Sequence, residues 1–189
     1  MSVAAVILAA GASQRLGEPK QLVRLGGETL LERSVRVCRE AGCARVVVVL
    51  GASADEVRKR CVLGDAVVVM NDAWDEGMGS SVRAGIGELP PNVDGCVIVT
   101  CDQPAVTAEH LRALMASGEV MASAYTGRRG VPAYFPRTIF EELKKLRGDG
   151  GARELLKDAK ALQLAGGELD VDTPEDLKRA QELFGRQPA

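Results

Sequence analysis

Arg15 and Lys20 stand in a run of mostly small residues, Leu8-Ala9-Ala10-Gly11-Ala12-Ser13-Gln14-Arg15-Leu16-Gly17-Glu18-Pro19-Lys20. Small side chains let backbone amides approach a ligand closely, and such a turn can hold anionic oxygens in a nest of N–H groups. Taken alone, Gly11 and Gly17 read as turn residues. Two cations beside the same loop shift the reading to phosphate binding. Neither GxGxxG nor GK[ST] is present, which argues against a dinucleotide fingerprint and a P-loop. Asp102 offers a second kind of chemistry, directly after the apolar run Cys96-Val97-Ile98-Val99 and Thr100-Cys101. Magnesium takes a few carboxylates together with phosphate oxygens, and a carboxylate at a strand end suits it. The same aspartate can equally cap the helix that begins a few residues later.

The elements that must position these groups alternate along the chain. Val3 to Leu8 reads as a strand, and Glu28 to Ala41 has helical periodicity with Leu30, Leu31, Val35 and Cys38 on one face. Arg45 to Leu50 is a continuous apolar run, the mark of a strand covered on both sides. Ser53-Ala54-Asp55-Glu56 has the spacing of a capping box. Ala66 to Met70 and Asp94 to Thr100 contain two further strands, and Thr107 is placed to cap a helix running to about Ala116. Val120 to Tyr125 and Val131 to Phe135 read as strands around a turn Gly127-Arg128-Arg129-Gly130. Helices are expected from about Arg137 to Leu146 and from about Gly151 to Ala159. A last one opens at Thr173-Pro174, an N-cap with proline at the first helical position. This alternation predicts an α/β fold, a three-layer α/β/α sandwich on a mostly parallel, mixed sheet. Ligands in such sheets bind beyond the carboxyl ends of the strands, which selects the loops after Leu8, Met70 and Val99.

The bulk properties agree with one soluble domain spanning 1–189. Hydrophobic residues make up 46% and charged residues 26%, with a formal net charge of −2. That balance argues against broad attraction to nucleic acid or an anionic membrane, so phosphate must be held by a few placed cations and amides. No apolar run approaches the roughly 20 residues of a transmembrane helix. Five cysteines without a CxxC pair, a single histidine and no leader-like start lead us to expect reduced thiols in a cytoplasmic protein.

LAAGASQRLGEPK resembles the LAAGxSxRMGxxK signature of nucleotidyltransferases that activate a phosphorylated substrate with a nucleoside triphosphate. More narrowly, it is similar to the MobA-like group and, within it, to the molybdenum cofactor cytidylyltransferases. Asn71-Asp72-Ala73-Trp74-Asp75-Glu76-Gly77-Met78-Gly79-Ser80-Ser81, Thr100-Cys101-Asp102-Gln103-Pro104, Leu146 to Arg153 and Asp170-Val171-Asp172-Thr173-Pro174-Glu175-Asp176 resemble four further segments of that group. The resemblance extends over nearly the whole chain and implies a Rossmann-like fold of the nucleotide-diphospho-sugar transferase kind.

What the resemblance implies for function is specific. Arg15, Lys20 and Asp102 would be catalytic. Leu8, Ala9, Ala10, Gly11, Ala12, Ser13, Gly77, Ser80 and Ser81 would join Arg15 and Lys20 around the nucleotide. Asp102 and Asp172 would hold Mg2+, with Asp170 the second choice beside Asp172. CTP is favoured over GTP, because guanylyltransferases of the group carry glycine and aspartate where this chain has Ala12 and Pro19. The acceptor would be of the molybdopterin type, met by Arg128, Arg129 and Arg153, with a client molybdoenzyme as a further partner; the position of Trp74 in a loop rather than a core strand adds it to the acceptor side. Trp74 can equally be a packing residue, and the two arginines solvated turn residues. Gly130-Val131-Pro132 stands where the group commonly has glycine, then histidine or asparagine, then proline, so Val131 replaces the polar residue, and Leu16 stands where the group has methionine. The first change removes a polar side chain from the acceptor side; the second conserves volume.

Overall fold

The structure is a computed structural model that describes residues 1–150 and 152–185. In chain order its elements are β1 (Val3–Ala9), β2 (Arg24–Leu25), β3 (Glu28–Thr29), α1 (Leu30–Glu40), β4 (Arg45–Leu50), α2 (Ala54–Arg60) and β5 (Val67–Met70). They continue with α3 (Met78–Gly87), β6 (Gly95–Thr100), α4 (Ala108–Met115), β7 (Met121–Tyr125) and β8 (Arg128–Pro136). The chain closes with α5 (Phe140–Leu143), α6 (Arg153–Leu156), β9 (Lys160–Gln163) and α7 (Pro174–Phe184).

Among the described residues, seven strands form the main sheet in the order β5-β4-β1-β6-β8-β7-β9. β1 lies between β4 and β6, parallel to both, and only β8 runs against its neighbours. This is a mixed, mostly parallel sheet between two helical layers. Its strands read as unbroken apolar runs because both faces are covered. Ala5, Ile7, Val48, Leu50, Val97 and Val99 pack towards α1, α2 and α4. The alternate residues Ala4, Val6, Val47, Val49, Cys96 and Ile98 pack towards α3, α5 and α6. A third, smaller cluster joins Leu16, Val23, Leu25 and Leu30 to Leu169, Val171 and Ala180. That cluster fastens the segment before α7 over the start of the chain.

Several local expectations shift. α1 begins at Leu30, because Thr29 rather than Glu28 closes its N-terminus: the Thr29 side chain accepts from Glu32 N–H and the Glu32 carboxylate accepts from Thr29 N–H. Glu28 and Thr29 pair instead with β2. Ser53 makes no side-chain cap, since its backbone (φ −118°, ψ 28°) lies outside the extended conformation a capping residue adopts. Arg128 and Arg129 belong to β8; the turn is tighter, at Thr126 and Gly127, both with positive φ. Arg137 to Leu146 begins as a 3-10 turn and reaches only Leu143 in α form, and the next helix is only Arg153–Leu156. The expected start of that helix, Gly151, lies outside the described residues. β9 was not expected.

Candidate active site

The loop after β1 is built so that its carbonyls face the protein and its amides do not. Gln21 is buried in the 3-10 turn Lys20–Leu22, and its Nε2 donates to Ala9 O at 2.7 Å and Gly11 O at 3.2 Å. Ala52 N–H donates to Ala10 O at 3.0 Å. Three consecutive carbonyls are thus tied back, and in a trans peptide the following N–H points the opposite way. The N–H groups of Ala10, Gly11 and Ala12 have no acceptor among the described residues. They form a ready set of donors for anionic oxygens. Ser13, with φ 52°, turns the loop, and its hydroxyl accepts from Lys20 N–H at 3.0 Å. Sequence reasoning missed Gln21; a glutamine set directly beside the loop lysine is the one signal that pointed to it.

Lys20 then reaches two carboxylates far apart in sequence. Its Nζ donates to Asp102 Oδ2 at 2.8 Å and to Asp172 Oδ1, while Arg15 Nη2 donates to Asp172 Oδ2 at 2.9 Å. Asp102 follows β6, and its backbone carbonyl accepts from Val171 N–H at 2.9 Å, which brings the segment of Asp170 and Asp172 alongside. Thr173, not Asp172, caps α7, with Asp176 completing the box, so Asp172 is left to the cleft. Burial alone would lower the Lys20 pKa. Attraction and hydrogen bonds from Asp102, then Asp172, outweigh it, and Lys20 holds its proton more tightly than usual.

Among the described residues no group of three or more Asp, Glu, His or Cys is drawn together as a metal cage, and the buried carboxylate oxygen left open is on Asp102. Asp102 Oδ1 is buried without a hydrogen-bond partner among the described residues, although it lies beside Asp172 and Asp170. A buried carboxylate oxygen without a partner is costly and suits a metal ligand. Asp170 is raised to about 7, first by the walls crowding its carboxyl and then by the charge of Asp102. A carboxyl whose folded pKa lies above its ordinary 3.8 loses stabilisation as pH rises from about 4 through about 7. Asp170→Asn should therefore melt close to wild type near pH 4 and above it at pH 8, in thermal scans without added metal. A constant difference across that range would remove the raised carboxyl.

These groups open on a cleft of about 860 Å³ lined by Lys20, Asp102, Asp170 and Asp172 at one side and Arg128, Arg129 and Arg153 at the other. The arginines assigned to the acceptor therefore do meet the carboxylates in one space, with Val131 in its wall. Arg129 Nη1 also donates to Lys157 O at 2.9 Å, a hold that crosses from β8 to the end of α6. Trp74 is not brought there. It packs on Gly51 beside Ala10 O, where a Cβ on Gly51 would meet both at 2.7 Å, and so stands next to the first loop. Gly77, Ser80 and Ser81 lie at the start of α3, as expected. Gly77 (φ 102°) has no room for a side chain, because Gly148 and Asp149 press on it, and Gly79 N–H donates to Gly148 O at 2.9 Å. The Ser80 and Ser81 hydroxyls are buried against Asn71.

This arrangement agrees with a family match. The model of the MobA-like NTP transferase domain matches residues 5–165. The chain belongs to that family. It is 36% identical over 193 residues to the purine catabolism protein PucB of Bacillus subtilis, covering 90% of this chain and 92% of that protein. It is 32% identical over 194 residues to the nicotine blue oxidoreductase of Paenarthrobacter nicotinovorans, covering 96% and 95%. The molybdenum cofactor cytidylyltransferase of Escherichia coli matches at 23% over 186 residues, 95% of each chain. Among solved structures, Rv0371c of Mycobacterium tuberculosis in complex with manganese superposes with a TM-score of 0.81 at 32% identity, over 96% of this chain and 99% of that one. The family is that of nucleotidyltransferases.

Proposed function

We propose that this protein transfers a cytidylyl group from CTP to the terminal phosphate of a molybdopterin-type acceptor and releases pyrophosphate. The observation that carries the reading is the meeting of Lys20, Arg15, Asp102 and Asp172 beside a loop whose amides are turned outward. An oxygen of the acceptor phosphate attacks the α-phosphorus, the bond to the β-phosphate breaks, and pyrophosphate leaves. No protein nucleophile is required, so the task is to position anions and offset their charge. The free amides of Ala10, Gly11 and Ala12, with Lys20 and Arg15, hold the triphosphate and stabilise the leaving group. Asp102 and Asp172 would hold Mg2+, which supplies further charge neutralisation between donor and acceptor phosphates. The manganese complex of the Mycobacterium tuberculosis relative supports a divalent ion in this family. Arg128, Arg129 and Arg153 would face the acceptor across the cleft, and a client molybdoenzyme would receive the product.

CTP is the preferred donor in this reading, because Ala12 carries a methyl where guanylyltransferases of the group have glycine. The test is pyrophosphate release with CTP or GTP, each with and without molybdenum cofactor. The specificity constant for CTP should exceed that for GTP by about tenfold or more, the discrimination one methyl and one read edge can give. Preference for GTP would remove the cytidylyl assignment. Nucleotide and cofactor binding without pyrophosphate release would instead make the protein a carrier.

A further inference from the structure

At the end of β5, Asn71 is 6% exposed, and Ser80 and Ser81 beside it are 3% and 5% exposed, so their hydrogen bonds must be found inside the protein or with a bound molecule. The Asn71 amide has one possible orientation. Ala73 N–H donates to Oδ1 at 3.1 Å, and Nδ2 donates to Ser80 Oγ at 2.8 Å and Ser81 Oγ at 3.0 Å. Both hydroxyls therefore accept from Asn71, and each keeps one proton to give. Ser80 gives its proton to Gly77 O at 2.8 Å. Ser81 Oγ has no acceptor for its proton among the described residues. Buried hydroxyls are normally satisfied, so a proton left over in a binding region points to a ligand.

The place of Ser81 agrees. Gly85 brings α3 against β1 and β4, where an added Cβ would collide with Val6 and come within 3.0 Å of Val49 Cγ2. Ser81 is one turn nearer the N-terminus of α3, hence nearer the carboxyl ends of both strands, where the first loop begins.

We infer that Asn71 is a positioning residue that fixes the hydrogen-bond polarity of Ser81, so that this hydroxyl donates to an acceptor on the nucleobase. The inference rests on the nucleotidyl-transfer reading and sharpens its base selection. Cytosine presents N3 and O2 as adjacent acceptors, whereas guanine presents N1–H and N2–H donors along the corresponding edge. A donor hydroxyl fixed in this way selects the first and opposes the second.

The experiment is titration calorimetry of CTP and GTP against wild type, Asn71→Asp, Ser81→Ala and the double variant. An aspartate at 71 accepts only, so it draws the Ser81 proton away from the base. Each single variant should lose about tenfold in CTP affinity, the scale of one hydrogen bond. GTP binding should change little, and the double variant should lose no more than either single one. Equal loss for both nucleotides, or additive losses in the double variant, would overturn the role of Asn71 while leaving the nucleotide reading in place. A wild type that binds neither nucleotide, or prefers GTP, overturns both. If Asn71→Asp does not fold, wild type and Ser81→Ala are titrated with 3-deaza-CTP and 2-thio-CTP, which lack or weaken one acceptor each. Wild type should bind at least one of them about tenfold more weakly than CTP, and Ser81→Ala should bind CTP and that analogue alike. Binding of both analogues by wild type as tightly as CTP overturns the inference.

Discussion

Asp102→Asn should lower pyrophosphate release by about three decades, the scale of removing a central charge-stabilising group from a phosphoryl-transfer site. Oδ2 accepts from Lys20 at 2.8 Å, while Oδ1 is buried without a partner among the described residues. Asparagine can keep the first contact only by placing an NH2 group where Oδ1 now stands. That turns an acceptor and a negative charge into a neutral donor at almost unchanged volume. Lys20 retains Asp172, and the backbone carbonyl of residue 102 still accepts from Val171 N–H, so the fold should survive. Asp172→Asn should show the same loss more mildly, because its side chain is 32% exposed against 17% for Asp102, and water replaces part of what it supplies. Magnesium-dependent turnover and the magnesium-induced rise in melting temperature, measured on both variants, decide the matter. Near-wild-type turnover in Asp102→Asn would remove the metal assignment.

What was legible in the sequence was local. The apolar runs of β1, β4 and β6, the small-residue loop and the Thr107 and Thr173 caps all have their causes within a few residues of themselves. The convergence of Asp102 with Asp172 does not. It depends on Val171 N–H pairing with Asp102 O and on the Leu16–Leu169–Val171 cluster, neither of which leaves a periodic trace. The resemblance to a family pointed to both aspartates where spacing alone left Asp102 undecided between metal and cap. β9 escaped because Lys160-Ala161-Leu162-Gln163 has neither alternation nor a β-branched residue, and its pairing with β7 defines it. The misplaced hairpin turn has a similar origin. A threonine with positive φ at 126 is uncommon, so the glycines at 127 and 130 drew the turn onto the arginines. Trp74 was assigned by its position in a loop, yet its place was decided by the absence of a side chain at Gly51.

Lys20→Met should change stability, nucleotide affinity and metal affinity with different signs, and that pattern is its value. Methionine keeps the apolar stem and removes the charge. In wild type the ammonium sits between Asp102 and Asp172, with 14% of its side chain exposed. A lysine whose folded pKa is raised contributes its full stabilisation below its ordinary 10.5, so the ion group is intact at neutral pH. Removing its centre leaves two neighbouring carboxylates with Arg15, itself 72% exposed, as the one remaining ion-pair partner among the described residues. Breaking a buried pair costs about 3–5 kcal/mol, and the cleft's openness to water places this one near 3. For a chain of this size that is a fall of roughly 6–12 °C in Tm without added metal. Nucleotide affinity should fall by about one to two decades, since a charge-assisted contact to phosphate is worth roughly 1.5–3 kcal/mol. Magnesium, in contrast, no longer competes with an ammonium for the same oxygens, and should raise the Tm of Lys20→Met more than that of wild type. Calorimetric melts with and without magnesium, and nucleotide titrations on the same preparations, read all three. An unchanged Tm together with unchanged nucleotide affinity would mean that Lys20 neither holds the carboxylates together nor meets the triphosphate, and the reading of the first loop as its binding site would fall with it.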